Sequence, residues 1–326
     1  VQEFFQTYGR LEKDFGITGS GQKGLGGIIA PGLRFAPKIQ SICMKIKLLI
    51  LTFLFSFPAM AARLYPLQTL LVKKCLYLQV RSLGGFSGEC LELQAKNKLD
   101  DSLRFFVEPG RLFESEAPGF QPLFVLQQKE VLLLPGTSAR FRLLACCGDA
   151  KKKVPSFNLC YQPGDSVRQS GKELGAYLNE KRIDPAQAQA AVWCLQNRHP
   201  LSAVHSADDR VEEGLQSLLS KLTGQPIPAY RLHYQSVTGD SLPFSDQKTE
   251  ITARLSYQLR TQTAIAIVLC RPEGQVLKQI ARELPQKQGK YNYALRLPVA
   301  DLPKGSYVVR VQEESGRILK ELPFQL

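Results

Sequence analysis

Apolar and polar residues alternate along much of this chain with the period of two that a half-buried strand imposes. Cys75-Leu76-Tyr77-Leu78-Gln79-Val80 leads to a turn at Gly84-Gly85, and Cys90-Leu91-Glu92-Leu93-Gln94 resumes the alternation. Residues 103–107, 123–127, 131–134 and 139–145 continue it, punctuated by Pro109-Gly110 and Pro135-Gly136. Short strands separated by Pro-Gly turns predict a β-sandwich-like module.

The period changes after Cys160. Residues 170–181 read as a helix, and Asp184-Pro185 supplies an N-cap followed by proline at the first helical position. The helix over 185–197 places Ala188, Ala191, Val192 and Leu195 on one side, with Trp193 close by. A third helix over 207–222 spaces Val211, Leu215, Leu218, Leu219 and Leu222 at helical intervals until Gly224 stops it. Gln225-Pro226-Ile227-Pro228 is then the linker candidate. Beyond it, alternation returns over 249–259, 263–270, 276–284, 291–297, 306–312 and 319–324, with turns at Glu273-Gly274, Lys304-Gly305 and Ser315-Gly316. About a hundred residues of short strands without a helix predict an immunoglobulin-like sandwich. The expected class is mainly β with appended helices, an α+β chain of two modules.

One apolar run fits neither module. Met44 to Ala62, MKIKLLILTFLFSFPAMAA, has Lys45 and Lys47 before an apolar stretch and Ala59-Met60-Ala61 after it. A membrane span needs about twenty apolar residues, whereas a signal core needs about seven to fifteen. The run is therefore read as a cleaved secretory signal, with cleavage between Ala61 and Ala62 and no stable membrane span. The expected organisation is 1–43 as upstream non-native translation, 44–61 as signal, 62–224 as the β-rich module with helices, 225–229 as linker and 230–326 as the last sandwich. Gly19-Ser20-Gly21-Gln22-Lys23-Gly24 matches a dinucleotide-binding pattern by letters alone. Pro31 follows too soon for the required helix, and no acidic residue stands at the right distance. No cofactor is expected.

Export changes how composition is read. The formal net charge is +13, but the basic residues are scattered, as in Lys73-Lys74 and Lys151-Lys152-Lys153. That distribution suits solubility and weak attraction to anionic glycans or lipids rather than nucleic acid, which wants a clustered basic face with aromatics. In an oxidising compartment Cys146 or Cys147 with Cys160, and Cys75 with Cys90, are the local disulfide candidates. Cys194 and Cys270, with Cys75 as the alternative reading for that residue, fit small buried hydrophobes inside periodic segments. Paired zinc-ligand spacings do not occur.

Two stretches carry a resemblance. Tyr257-x-Leu259, Ala264-x-Ala266-x-Val268, Gly274-Gln275-Val276-Leu277, Gly289-x-Tyr291 and Asp301-Leu302-Pro303-Lys304-Gly305-Ser306-Tyr307 resemble the C-terminal sorting domains of Bacteroidota type IX cargo. They also resemble the related immunoglobulin-like domain of flagellar hook-capping proteins. The most specific part is Asp301, Leu302, Gly305 and Tyr307, where a glycine turn feeds a final hairpin whose tyrosine packs inward. The resemblance implies passage through the Sec translocon and docking to an outer-membrane secretion machinery. It departs from the pattern in lacking a proline-rich entry motif and in ending Phe324-Gln325-Leu326. Separately, the helix from Gln187 to Trp193 resembles the QxAxW signature of thioester-forming surface adhesins, which implies a cysteine and glutamine cross-link.

Catalytic chemistry is sparse. A cysteine nucleophile needs a nearby imidazole, and the histidines are His199, His205 and His233. His199 follows a helix end and His205 precedes a helix entry, where capping or solvated roles are expected; no serine sits in a nucleophile elbow. Glu108, Glu114 and Glu116 flank Pro109-Gly110, as glycosidase carboxylates flank a cleft, but loop carboxylates of this kind are usually solvated. The reading is an exported periplasmic, cell-surface or extracellular protein with a binding, adhesion or structural role rather than an enzyme, whose partner is a surface glycan or protein. The rivals are a secreted hydrolase with a site between the first sandwich and its helices, and a thioester-type adhesin.

Overall fold

The computed structural model describes residues 63–164, 168–236 and 243–326. The signal segment with Ala61 and Ala62, and the Gly19 to Gly24 pattern, lie outside the described residues. Strands dominate, with four α-helices among the described residues, so the chain is mainly β with appended helices. No described helix is long and apolar enough to cross a membrane.

The first strands close on themselves. β2 (Leu76–Leu83), β3 (Ser87–Asn97), β8 (Ser138–Cys147), β6 (Leu123–Val125), β5 (Leu112–Ser115) and β9 (Phe157–Pro163) form a closed barrel in that order. The alternation of each strand turns Val80, Leu93, Phe113, Leu123, Leu143 and Tyr161 into one buried cluster. β1 (Leu64–Pro66), β4 (Leu103–Val107) and β7 (Lys129–Leu133) form a separate sheet that adds Leu103, Phe105 and Leu133 to the same cluster. Helix α1 (Leu67–Val72) buries Leu67 and Leu70 there as well. The expected sandwich-like module is thus a barrel. The closing step is the pairing of β9 with β2 through Val80↔Tyr161 and Arg81↔Cys160. The sequence reading misses β9 because its residues show no clean alternation of burial.

Three helices pack on one side of the barrel, α2 (Gln169–Lys181), α3 (Pro185–Asn197) and α4 (Asp209–Thr223). Asp184 caps α3 by accepting from the Ala186 N–H at 2.9 Å, and Asp208 caps α4 through the N–H groups of Arg210 and Val211. Leu174, Leu178, Ala188, Val192, Leu215 and Leu219 meet the barrel's Phe124, Leu126 and Cys146 in a second cluster. Glycine sets the closest approach. A Cβ on Gly110 would lie 2.2 Å from the Gly171 carbonyl oxygen, and Gly110 also has φ of +84°. The carboxamide of Gln189 makes a second clamp: it accepts from the Cys147 N–H at 3.1 Å and donates to the Cys147 carbonyl at 2.5 Å.

The last segment holds two sheets over one apolar cluster. β10 (Arg231–Tyr234), β11 (Lys248–Leu259) and β14 (Gly289–Pro298) form the first. β13 (Val276–Gln286), β12 (Thr263–Cys270), β15 (Ser306–Glu313) and β16 (Ile318–Gln325) form the second. Ile251, Leu255 and Leu297 from one sheet meet Ile267, Val309 and Val311 from the other.

Candidate functional site

The end of α3 builds the site. Arg198 adopts a left-handed C-cap with φ of 57°, which reverses the chain and lets the His199 N–H donate to the Trp193 carbonyl at 3.3 Å. Pro200 then opens a 3₁₀ turn, Leu201–Ala203, that carries the chain past the helix toward His205. From the other side comes β10, whose register shifts between His233 and Tyr234. In a regular strand these neighbours face opposite ways; the irregularity lets both reach the same space.

That space is a cavity of about 400 Å³ lined by Ala186, Ala190, Trp193, Ala203, Tyr234 and Phe244, among others. All three histidines of the chain border it. The Phe244 ring stands among Trp193 at 5.4 Å, His199 at 4.3 Å and Tyr234 at 4.9 Å between centroids. His205 and His233 face each other at 4.8 Å, and His233 Nε2 is 3.0 Å from the Thr252 hydroxyl. Trp193 is 8% exposed, and its Nε1–H has no hydrogen-bond partner among the described residues. A buried donor left unpaired costs about 1–3 kcal/mol.

The electrostatics favour neutral chemistry. Burial lowers the His199 pKa, Lys151 lowers it further, and Asp246 and Asp149 oppose them. Burial lowers that of His205, and the His233 ring adds to the effect. Burial pushes the Tyr234 phenol up to about 12, helped by Asp246 and Tyr230. His199 and His205 are therefore mostly uncharged at pH 7, and among the described residues no Asp, Glu, Lys or Arg lines the cavity. Its imidazoles, phenol, amide and hydroxyls each donate and accept.

The surrounding contacts hold the helices and the last sheets together. Arg231 bonds Glu212 at 2.8 Å and Asp209 at 2.9 Å on α4. The Gln225 carboxamide accepts from the Leu201 N–H at 2.9 Å and donates to the His199 carbonyl at 3.0 Å. The expected linker is thus tied down at its first residue.

Other candidates separate. The seven cysteines among the described residues are all unpaired, which corrects the expected disulfides. Cys75 accepts from the Lys98 N–H at one end of the β2/β3 hairpin, while Cys90 lies by Ala145 and Ser82↔Leu91 at the other end, roughly 20 Å along the strand. Cys160 pairs with β2, whereas Cys146 pairs with β3, so neither Cys146 nor Cys147 sits on a strand beside Cys160. Burial raises the thiols of Cys90 to about 12 and of Cys194 to about 11, and those of Cys146 and Cys147 also rise. Reactive thiols need the opposite shift. Cys270 is buried as expected, while Cys75 is only half-buried.

The carboxylates disperse too. Glu108 is bound to Arg111, 1% exposed, at 3.0 Å and accepts from the Gln68 N–H at 3.2 Å. Glu114 lies opposite Gln162 on β9, and no paired-carboxylate cleft forms with Glu108. Asp301 is exposed, Leu302 packs against the last cluster, and Gly305 exchanges backbone hydrogen bonds with Leu326. Tyr307 is buried, stacks on Phe324 and donates its hydroxyl to the Pro303 carbonyl at 2.6 Å. No group of three or more His, Cys, Asp or Glu side chains among the described residues is placed to hold a metal.

No protein-family profile matches the chain. No curated protein matches either. Among solved structures, the CBM51-2 and INT domains of Clostridium perfringens ZmpB in complex with GlcNAc align at 11% identity, 77% of this chain, 79% of that one and TM-score 0.16. A β-glucosidase from Kluyveromyces marxianus aligns at 9% identity, 72% of this chain, 44% of that one and TM-score 0.17. Scores this low carry neither fold nor activity to this chain.

Proposed function

We propose that this chain is an exported cell-envelope or surface protein with a binding role, and that the cavity bordered by Trp193 and the three histidines is its ligand site. The observation that carries this reading is the lining of the cavity by Trp193, Tyr234, Phe244 and the three histidines, with a Trp193 N–H that has no partner among the described residues; a ligand that reaches that donor recovers a hydrogen bond. The ligand is small, presents an acceptor to Trp193 and carries no strong charge. A hydrolytic reading is weaker: the one imidazole hydrogen bond found among the described residues joins His233 to Thr252, and the buried thiols stay protonated. The last two sheets act as an immunoglobulin-like sandwich for sorting or docking; the hydroxyl of Tyr307, bonded back to Pro303, supports that shape as a tyrosine corner does.

The chain has a single tryptophan, so its fluorescence reports this site directly. Titration with a panel of neutral saccharides and neutral aromatic amides is expected to give a saturable emission change with one class. No saturable change with either overturns the proposed site. N-terminal sequencing of the exported product is expected to start near Ala62, and a product retaining residues 1–43 overturns the export reading.

A second reading has one contact in its favour. The Gln225 Nε2 lies 3.5 Å from the Cys194 sulfur, the cysteine and glutamine pair that a thioester adhesin requires. The glutamine of the QxAxW stretch, Gln189, is instead committed to the Cys147 backbone. An intact mass lower by one ammonia, and modified by methylamine, would establish the thioester; the unmodified mass excludes it.

A further inference from the structure

Among the described residues, five of the twelve exposed large apolar side chains lie on segments at one end of the barrel. Val72 is 70% exposed, Leu132 59%, Leu134 57%, Tyr77 52% and Leu99 38%. They come from distant parts of the sequence, and a buried asparagine brings their turns together. Asn97 is fully buried; its Nδ2 donates to the carbonyls of Asp101 at 2.8 Å and Leu134 at 3.2 Å, and its Oδ1 accepts from the Leu99 N–H at 2.9 Å. Its backbone N–H donates to Thr137 at 3.0 Å, and the next residue, Lys98, donates to Cys75 at 3.1 Å. The turns after α1, after β3 and after β7 are thereby held as one platform.

The charge around this platform is net positive. Lys73, Lys74, Lys96 and Lys98 are exposed on these segments, against Asp100 and Asp101. Arg104 and Glu130 on the adjoining sheet neutralise each other at 2.9 Å. Exposed apolar side chains with lysines on the same segments match the chemistry of a bilayer interface: hydrocarbon below the headgroups, anionic phosphate at their level. Neither signal suffices alone, since stable surface attachment takes apolar insertion together with basic charge.

We propose that this barrel end docks on a membrane surface containing anionic phospholipid, inserting Val72, Leu132 and Leu134 while the lysines pair with phosphate. The inference is independent of the cavity. Because the platform is already ordered by Asn97, little conformational freedom is lost on docking.

The test uses the full chain with one reporter at a time, Leu134→Trp on the platform or Val276→Trp on the last module. Each is mixed with phosphatidylcholine vesicles, with or without phosphatidylglycerol, carrying brominated acyl chains that quench nearby indole. Expected is quenching of the Leu134→Trp reporter only with phosphatidylglycerol, none of the Val276→Trp reporter, and at least about tenfold weaker binding after Lys73→Glu, Lys74→Glu, Lys96→Glu and Lys98→Glu together. Three results would each overturn it: vesicle binding that leaves the platform reporter unquenched, which places the contact elsewhere; equal quenching by phosphatidylcholine alone; and capture of inorganic polyphosphate without vesicle binding, which makes the lysines a polyanion site.

Discussion

Truncating Phe244 to alanine removes a ring that contacts Trp193, His199 and Tyr234 at centroid distances of 5.4, 4.3 and 4.9 Å. Full burial of a phenylalanine contributes about 1.5–3 kcal/mol, and this half-buried ring retains about 1 kcal/mol of that. Aromatic pairs add about 0.5–1.5 kcal/mol each, so the low end for two pairs brings the loss to about 2 kcal/mol. Urea unfolding followed at Trp193 reads that loss where it occurs. With a slope of about 2–3 kcal/mol/M, the midpoint should fall by about 0.7–1 M, and native emission should shift red as water reaches the indole. Phe157→Ala, at a ring 74% exposed on the barrel, is the control and should leave the midpoint in place. An unchanged midpoint and emission for Phe244→Ala would refute the packing of this junction.

Three further outcomes follow from the geometry. His199 and His205 have lowered folded-state pKa values, so the unfolded chain binds more protons; their contribution is complete above about pH 6.5 and is lost as pH falls through the lower folded values. Urea midpoints should therefore drop between about pH 7.5 and about pH 5, and His199→Asn with His205→Asn should flatten the drop. Gly110→Ala forces a Cβ to 2.2 Å from the Gly171 carbonyl at a positive φ and should cost about 3 kcal/mol, measured by the same titration. Iodoacetamide on the native protein should mark the half-exposed Cys75 and Cys160 and spare Cys90, Cys146, Cys147 and Cys194, as read by peptide mapping.

Elements with a clean period were legible in the sequence. Asp184-Pro185 marked the start of α3 because a side-chain cap and a proline are both local signals, and β12 was readable from Thr263 to Cys270 as an apolar run ahead of the Glu273-Gly274 turn. Barrel closure was not legible: it depends on β9 meeting β2 across about eighty residues, and Leu159, Cys160 and Tyr161 carry no alternation that announces it. The disulfide reading failed on the same ground, since spacing along the chain says nothing about which strands become neighbours. At the site, His199, His205 and His233 looked like separate capping or solvated residues. Their convergence rests on the left-handed Arg198 and on the shift between His233 and Tyr234, which are features of backbone geometry. Three histidines within thirty-five residues of one another, beside the chain's one tryptophan, was the signal available.

The central claim is that Trp193 offers its N–H to a ligand. A chain with one tryptophan gives one indole cross-peak in a ¹H–¹⁵N spectrum, so the donor is observed without assignment. Titration with the panel of neutral saccharides and aromatic amides should move that peak downfield and saturate for one class, with Phe244→Ala weakening the response. A cross-peak that stays in place through the whole panel would contradict the account.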